Sequence, residues 1–77
     1  MQIWTIGYSL SDNMDQKFFI EVFAKGPFEA YRNGWEISTI IEKLPHEKIL
    51  LVVINPGTIE ENTRRFKING SNIKKTL

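Results

Sequence analysis

Two short stretches of the sequence carry side chains that could hold an oxygen-rich ligand. Near the N-terminus, an apolar run leads directly into Gly7, Tyr8 and Ser9. A glycine lets a ligand approach the backbone without a Cβ in the way, and a serine adds a hydroxyl. Downstream, a second apolar run ends at Asn55 and Pro56. The Asn55 amide offers both a donor and an acceptor, which suits a ribose diol.

Both stretches also have a purely structural interpretation. A glycine and small polar residues after a strand commonly form a turn, and Ser11 or Asp12 could cap a following helix. The sequence Asn55-Pro56-Gly57 is by itself typical of a turn. The local sequence therefore leaves ligand binding and simple turn formation open at each place.

The composition excludes several classes of site. The chain has 77 residues, which fits one domain, and its 42% hydrophobic and 25% charged content is that of an ordered protein. A net charge of +1 gives no reason to expect nucleic-acid binding. Without cysteine, disulfides and thiolate chemistry are excluded, and one histidine, His46, cannot form a multi-histidine metal site. No apolar run is long enough to span a membrane. The absence of cysteine fits the cytoplasmic protein that we expect.

The first third of the chain is predicted to be a strand followed by a helix. Residues 2–8 form a β-branched and aromatic run typical of a strand. Between residues 11 and 26, apolar residues recur at helical spacing, with capping residues before them and Gly26-Pro27 after them. The alternative is a strand over residues 17–24, KFFIEVFA, which would make the fold antiparallel α+β.

The rest of the chain is predicted to add two helices and a buried strand. A loop over residues 27–34 precedes a helix that starts at an Asn33–Glu36 capping box and stops at Pro45. The run ILLVVI, residues 49–54, has no alternation, which is typical of a central parallel strand. The remaining predictions are a helix with a Thr58–Glu61 capping box, a brief strand over residues 66–68 and a last helical turn over residues 71–77.

Strands that alternate with helices predict an α/β fold. We expect a partial Rossmann-like parallel sheet of two or three strands with flanking helices. Ligands of such sheets bind beyond the carboxyl ends of the strands. Gly7 to Ser9 and Asn55 to Pro56 would then lie at the same edge of the sheet.

The stretches IWTIGYSLSD and ILLVVINPGT together resemble the second half of a sirtuin-like NAD-binding domain, of the kind found in bacterial anti-phage NAD hydrolases. The resemblance implies that Gly7 and Ser9 line the ribose and phosphate region of NAD, with Tyr8 at a position where the family varies. It also implies that Asn55, followed by Pro56, contacts the adenosine ribose. Asn69 or Gly70 would approach the adenine.

The chain departs from that family in ways that affect its expected activity. The family's glycine-rich loop and its catalytic residue lie upstream of the matching part, and His46 cannot replace the latter because it precedes the second strand. The segment over residues 27–48 is longer than the family's usual crossover. We therefore expect residues 1–77 to form a single, partial sirtuin-like domain without a catalytic residue.

Three functions remain open at this point. The first is an NAD-binding C-terminal half of a sirtuin-like NAD hydrolase or deacylase-like domain. The second is a small non-enzymatic interaction or regulatory protein that docks on a larger partner, or on itself, through an open sheet edge. The third is a small α/β or α+β domain in which the same residues serve only turns and caps. A strand over residues 17–24 would remove the basis of the first.

Overall fold

The fold is a three-stranded antiparallel sheet with two helices. The computed structural model describes residues 1–66 and residues 73–74. In chain order the elements are β1 (Gln2–Leu10), β2 (Asn13–Ala24), α1 (Pro27–Glu42), a 3-10 turn (His46–Lys48), β3 (Ile49–Pro56) and α2 (Ile59–Phe66). The strand order is β2-β1-β3, and β1 pairs antiparallel with both neighbours.

The predicted parallel, Rossmann-like sheet is wrong. The fold is α+β, and β1 is its central strand, while the ILLVVI run of β3 lies at an edge rather than in the centre. β2 and β3 run in the same direction because each is antiparallel to β1, but β1 lies between them. The crossover through α1 therefore joins two strands that do not touch.

The error arises at residues 13–24, which form β2 instead of the predicted helix. Ser11 and Asp12 form the turn of a tight hairpin, with Leu10 opposite Asn13, and do not cap a helix. Along β2, side chains alternate between the two faces of the sheet, with Ile20 and Val22 buried on one face. The aromatic and β-branched residues of KFFIEVFA suit this pleated surface.

Helix α1 starts earlier than its capping-box pattern predicted. It begins at Pro27, whose ring suits the first helical position because no backbone N–H is needed there. Asn33 lies inside the helix, and its side-chain amide donates to the Phe23 carbonyl at 2.9 Å. The helix ends at Glu42, where Lys43 takes a left-handed conformation with φ of 57°. Residues 27–34 are therefore helix, not loop.

The core lies between α1 and one face of the sheet. Its central residues come from all three strands and from α1: Trp4, Ile6, Tyr8, Ile20, Val22, Ala24, Ala30 and Ile49. Gly34 lets α1 approach this face closely, because a Cβ there would lie 2.9 Å from side-chain carbons of Ile6. Burial of these apolar side chains between α1 and the sheet stabilises the fold through the hydrophobic effect.

Helix α2 packs against the opposite face of the sheet, and its predicted capping box is confirmed. The Thr58 backbone N–H donates to Glu61 at 3.0 Å, and the Glu61 N–H donates to the Thr58 hydroxyl at 3.1 Å. The brief strand predicted to start at Phe66 is wrong at that residue, which ends α2. The rest of that strand, and Asn69 and Gly70, lie outside the described residues.

A short C-terminal piece of the chain reaches the outer side of β2. Ile73 forms an isolated parallel bridge with Phe19, and the Lys74 N–H donates to the Phe19 carbonyl at 2.8 Å. These two residues are not helical, whereas the remainder of the predicted last turn lies outside the described residues. In the described part of the chain, no helix is long and apolar enough to cross a membrane.

Candidate functional site

The first predicted ligand-contact stretch lies inside the central strand. Gly7, Tyr8 and Ser9 belong to β1 and are buried. Tyr8 points into the core under α1, so Gly7 and Ser9 face the other side of the sheet. None of the three follows the end of a strand, which is where the sequence-based prediction placed them.

The space over Gly7 is filled by the protein itself. A Cβ at this position would lie 2.9 Å from Cε1 of Phe19 and 3.0 Å from Cβ of Val53. These two residues are its partners on β2 and β3. The glycine thus permits close packing of two neighbouring side chains, which explains its presence without a ligand.

Ser9 and Asn55 are not brought together. Ser9 lies opposite Leu50, while Asn55 lies opposite Thr5, toward the other end of the same strand pair. Leu50 and Asn55 are five residues apart along β3, roughly 16 Å at about 3.3 Å per residue. Antiparallel pairing places the carboxyl ends of β1 and β3 at opposite ends of the sheet. The expected shared cleft is therefore absent from this pair, and NAD binding stays a prediction without that structural basis.

The hydroxyl groups of the first stretch have partners within the fold. The Ser9 hydroxyl donates to the Met14 carbonyl at 3.3 Å. The Tyr8 hydroxyl donates to the Glu42 carboxylate at the end of α1, and Lys74 pairs with the same carboxylate. The Lys74 ammonium also lies 4.2 Å from the centroid of the Phe18 ring. This cluster connects α1, the sheet and the C-terminal piece.

The ionisation of the Tyr8–Glu42–Lys74 cluster follows from these contacts. Burial, the hydrogen bond to Glu42 and the charge of Glu42 raise the pKa of Tyr8 far above its usual range. Burial also opposes ionisation of Glu42, but hydrogen bonds from Lys74 and Tyr8 and the Lys74 charge outweigh it and lower the pKa of that carboxyl. Tyr8 is therefore a stable hydrogen-bond donor, and Glu42 is a carboxylate held by two partners.

The N-terminus of α2 is already occupied by side chains. Glu21 on β2 accepts a hydrogen bond of 2.8 Å from the Ile59 N–H, and Glu61 accepts from the Thr58 N–H. Hydrogen bonds from Thr58 lower the pKa of the Glu61 carboxyl. Free N–H groups at a helix start attract anions, but here two carboxylates stand in that position. An open depression of about 500 Å³ beside them is lined by Glu21, Thr58, Ile59, Glu60, Thr63, Arg64 and Ile73.

Asn62 fastens α2 to the sheet. Its amide nitrogen lies 3.1 Å from the Thr5 hydroxyl, 3.2 Å from the Pro56 carbonyl and 2.9 Å from the Thr58 carbonyl. Thr5 in turn donates to the Gly57 carbonyl at 3.0 Å. Among the described residues, the buried Oδ1 of Asn62 has no partner. Asn55 and Pro56, which were expected to bind a ligand beyond the strand, are the last residues of β3, and Asn62 of α2 bonds to the Pro56 carbonyl there.

The outer edge of β3 differs from these satisfied clusters. In the part of the chain that the structure describes, β3 pairs with β1 alone and no element pairs with its other side. Its side chains are apolar from Ile49 to Ile54, most are only partly buried, and Val52 is 47% exposed. Val52 is also the extra residue of a β-bulge, because Gly7 pairs with Val53 and Tyr8 pairs with Leu51.

A row of aromatic rings, formed by Tyr31 and Trp35 of α1 and His46 of the 3-10 turn, leads to the start of β3. The Tyr31 and Trp35 rings meet edge to face at 5.2 Å, and the Trp35 and His46 rings lie 5.9 Å apart. The Trp35 indole N–H donates to the His46 carbonyl at 2.9 Å, just before β3 begins. His46 is exposed and belongs to the 3-10 turn. The row therefore flanks the start of β3.

No family model matches the chain, and neither a curated protein nor a solved structure matches it. Within the described residues, no group of three or more histidine, cysteine or acidic side chains could hold a metal ion. The sirtuin-like resemblance accordingly rests on the short sequence motifs alone.

The sequence signal that could have located the β3 edge was the alternative strand over residues 17–24. With β2 as the hairpin partner of β1, only one side of β1 remains for the ILLVVI strand. That strand then has an outer edge unless a further strand follows it. An unbroken apolar run predicts a central strand, whereas β3 is an edge strand whose apolar side chains are mostly only partly buried.

Proposed function

We propose that this chain is a non-enzymatic interaction protein that binds an extended polypeptide segment by strand addition to the outer edge of β3. The single observation that carries the proposal is this unpaired, apolar edge in the described structure. An edge strand presents a row of backbone donors and acceptors that a further strand can satisfy. Strand addition derives affinity from these main-chain bonds and specificity from alternate side chains.

The contrast between the two edges of the sheet supports β3 as the binding edge. At the β2 edge, Ile73 and Lys74 already contact Phe19 through backbone pairing, and Lys74 is also fixed by Glu42. At the β3 edge, the exposed Val52 side chain occupies the middle of the strand. A bound segment would cover Val52, and every second side chain of that segment would lie on the face of the sheet that carries α1.

The aromatic row on α1 provides a second contact for such a segment. Tyr31 is 40% exposed and Phe28, one turn earlier, is 89% exposed. Aromatic rings supply a large apolar area with little loss of side-chain freedom, so they are common in the centres of interfaces. The preferred ligand is therefore an extended segment with apolar or aromatic residues at alternate positions.

The experiment is selection from a displayed library of random peptides, followed by NMR mapping on the isotope-labelled chain. We expect shifts to concentrate on residues 49–56 and on the aromatic row. Val52→Lys should weaken binding roughly tenfold or more, since a lysine at an edge opposes strand addition. Met14→Lys is the matched control, because Met14 is 63% exposed on β2. Peptides that bind Val52→Lys as well as the wild type would contradict the proposal.

A further inference from the structure

The hydrogen bonds between β3 and β1 show which residues of β3 point their backbone N–H and C=O groups toward β1 and which point them toward the outer edge. The Gly57 N–H donates to the Ile3 carbonyl at 2.8 Å, so this end of the β1–β3 ladder is hydrogen-bonded at Gly57. In an antiparallel ladder, residues alternate between facing the neighbour and facing away. Counting back from Gly57, the backbone N–H and C=O groups of Asn55 and Val53 point toward β1, and those of Ile54 point outward.

The other end of β3 can be assigned in the same way. The Ser11 N–H donates to the Lys48 carbonyl at 2.9 Å, so Lys48 faces β1. Counting forward, Leu50 also faces β1, and Ile49 and Leu51 face outward. Ile49 and Ile54 are therefore both outward-facing although they are five residues apart. In a regular strand, the backbone groups of two residues five positions apart point in opposite directions. The bulge adds one extra residue, Val52, so the groups of Ile49 and Ile54 point the same way.

This arrangement makes the edge complementary to itself. If two copies of β3 lie antiparallel about a two-fold axis between Leu51 and Val52, Ile49 of each copy falls opposite Ile54 of the other. Both residues of that pair present their N–H and C=O groups outward, so each pair can exchange two hydrogen bonds. The two-fold axis repeats the Ile49–Ile54 pair, so that one such pair lies on each side of the axis.

The charges at the ends of β3 suit the same register. Lys48, which directly precedes β3 and bonds to Ser11, falls opposite Asn55 of the other copy. No like charges face each other across the axis, which would be destabilising. Pro56 has no N–H, so it ends the run of donors at the position where the strand itself ends.

We propose that the partner of the β3 edge is a second copy of this chain, paired antiparallel with Ile49 opposite Ile54. The two copies form one six-stranded sheet in the order β2-β1-β3-β3-β1-β2. The inference rests on the proposed function and adds the identity of the partner. A two-fold contact of this kind is the commonest symmetry of soluble oligomers.

Sedimentation of the full chain over a concentration series tests the dimer. The wild type is expected to shift from monomer to dimer as its concentration rises. Val52→Lys should raise the dissociation constant roughly tenfold or more, whereas Met14→Lys should leave it unchanged. A wild-type chain that stays monomeric throughout, or a dimer that persists unchanged in Val52→Lys, overturns the inference.

Cysteine cross-linking tests the register, since the natural chain has no cysteine. In the double variant Lys48→Cys with Asn55→Cys, the two positions face each other across the axis as a non-hydrogen-bonded pair, about 4.5 Å apart at Cα. Within one copy they lie roughly 23 Å apart along β3, so a disulfide can form only between copies. Each single variant is the control and should not cross-link in this register.

The outcomes separate this inference from the proposed function. A double variant that does not cross-link, or singles that cross-link equally, overturns the register and with it the inference. A monomeric chain whose β3 residues still respond to selected peptides overturns the second-copy partner but supports strand addition. A monomeric chain whose β3 residues respond to no peptide contradicts both.

Discussion

At the scale of single residues, the structure assigns packing roles to side chains that resemble ligand contacts in the sequence. Gly7 follows an apolar run, as glycines of ligand-binding turns do, but it lies in mid-strand beneath Phe19 and Val53. Ser9 offers a hydroxyl, and that hydroxyl is bonded to the Met14 carbonyl. The residue types were visible in the sequence, whereas their neighbours depended on strand pairing.

Gly7→Ala is expected to destabilise the fold. The new methyl group would lie at 2.9 Å from Cε1 of Phe19 and 3.0 Å from Cβ of Val53, so both side chains must shift. Overpacking of this kind costs about 1–3 kcal/mol, measurable by urea unfolding. Adding Phe19→Leu to Gly7→Ala should recover part of the loss caused by the methyl group, relative to Phe19→Leu alone. A fully stable Gly7→Ala would show that Phe19 and Val53 do not fill the space over Gly7.

At the scale of secondary-structure elements, β2 is the region that the sequence left ambiguous. Met14, Phe18 and Val22 recur at helical spacing, and Gly26-Pro27 resembles a helix end. The same Pro27 instead starts α1, because proline suits the first position of a helix as well as the residue after one. This segment forms a strand because it pairs with β1 over most of the length of β2. Helix α2 was predictable because its capping box is purely local.

The Glu42 cluster should make stability depend on pH. The pKa of Glu42 is lowered in the folded protein, so its contribution is present above its ordinary pKa and is lost as pH falls through the lowered value. Glu42→Gln should therefore reduce the free energy of unfolding by about 1–2 kcal/mol near neutral pH. At an acid pH below the lowered pKa of Glu42, the difference between variant and wild type should shrink, because the wild-type carboxyl is then largely protonated.

Urea unfolding at both pH values checks this expectation. Lys74→Ala is the informative companion, because it removes the cation and frees the C-terminal piece from Glu42. It should raise the pKa of Glu42 toward its ordinary range and weaken the pH dependence. A difference between Glu42→Gln and the wild type that is the same at both pH values would show that the charge of Glu42 contributes nothing.

At the scale of the whole molecule, strand order decides which residues meet. Parallel strands would bring Ser9 and Asn55 to one edge of the sheet, and the antiparallel order separates them along the strand pair. The same order leaves β3 with an outer edge that no described residue pairs with. The binding surface that we propose is therefore this outer edge of β3.

Calorimetric titration of the full chain with NAD tests the prediction made from the sequence motifs. We expect no saturable heat, because Gly7, Tyr8 and Ser9 are buried within β1 and Asn55 lies apart from them. Asn55→Ala is the matched variant for any signal that is seen. Saturable binding to the wild type that is lost in Asn55→Ala would re-establish a nucleotide site at this turn.

The sequence by itself determined the local features: strands at residues 2–8 and 49–54, the capped helix α2, and the exclusion of cysteine and multi-histidine chemistry. These follow from nearest-neighbour propensities and from residue counts, which need no partner. Only the tertiary structure decided that residues 13–24 are a strand and that β1 is central. An amphipathic segment such as KFFIEVFA can bury its apolar side chains as a helix or as a strand. The hydrogen bonds and packing that β1 offers across the hairpin select the strand, and that selection leaves β3 at the open edge.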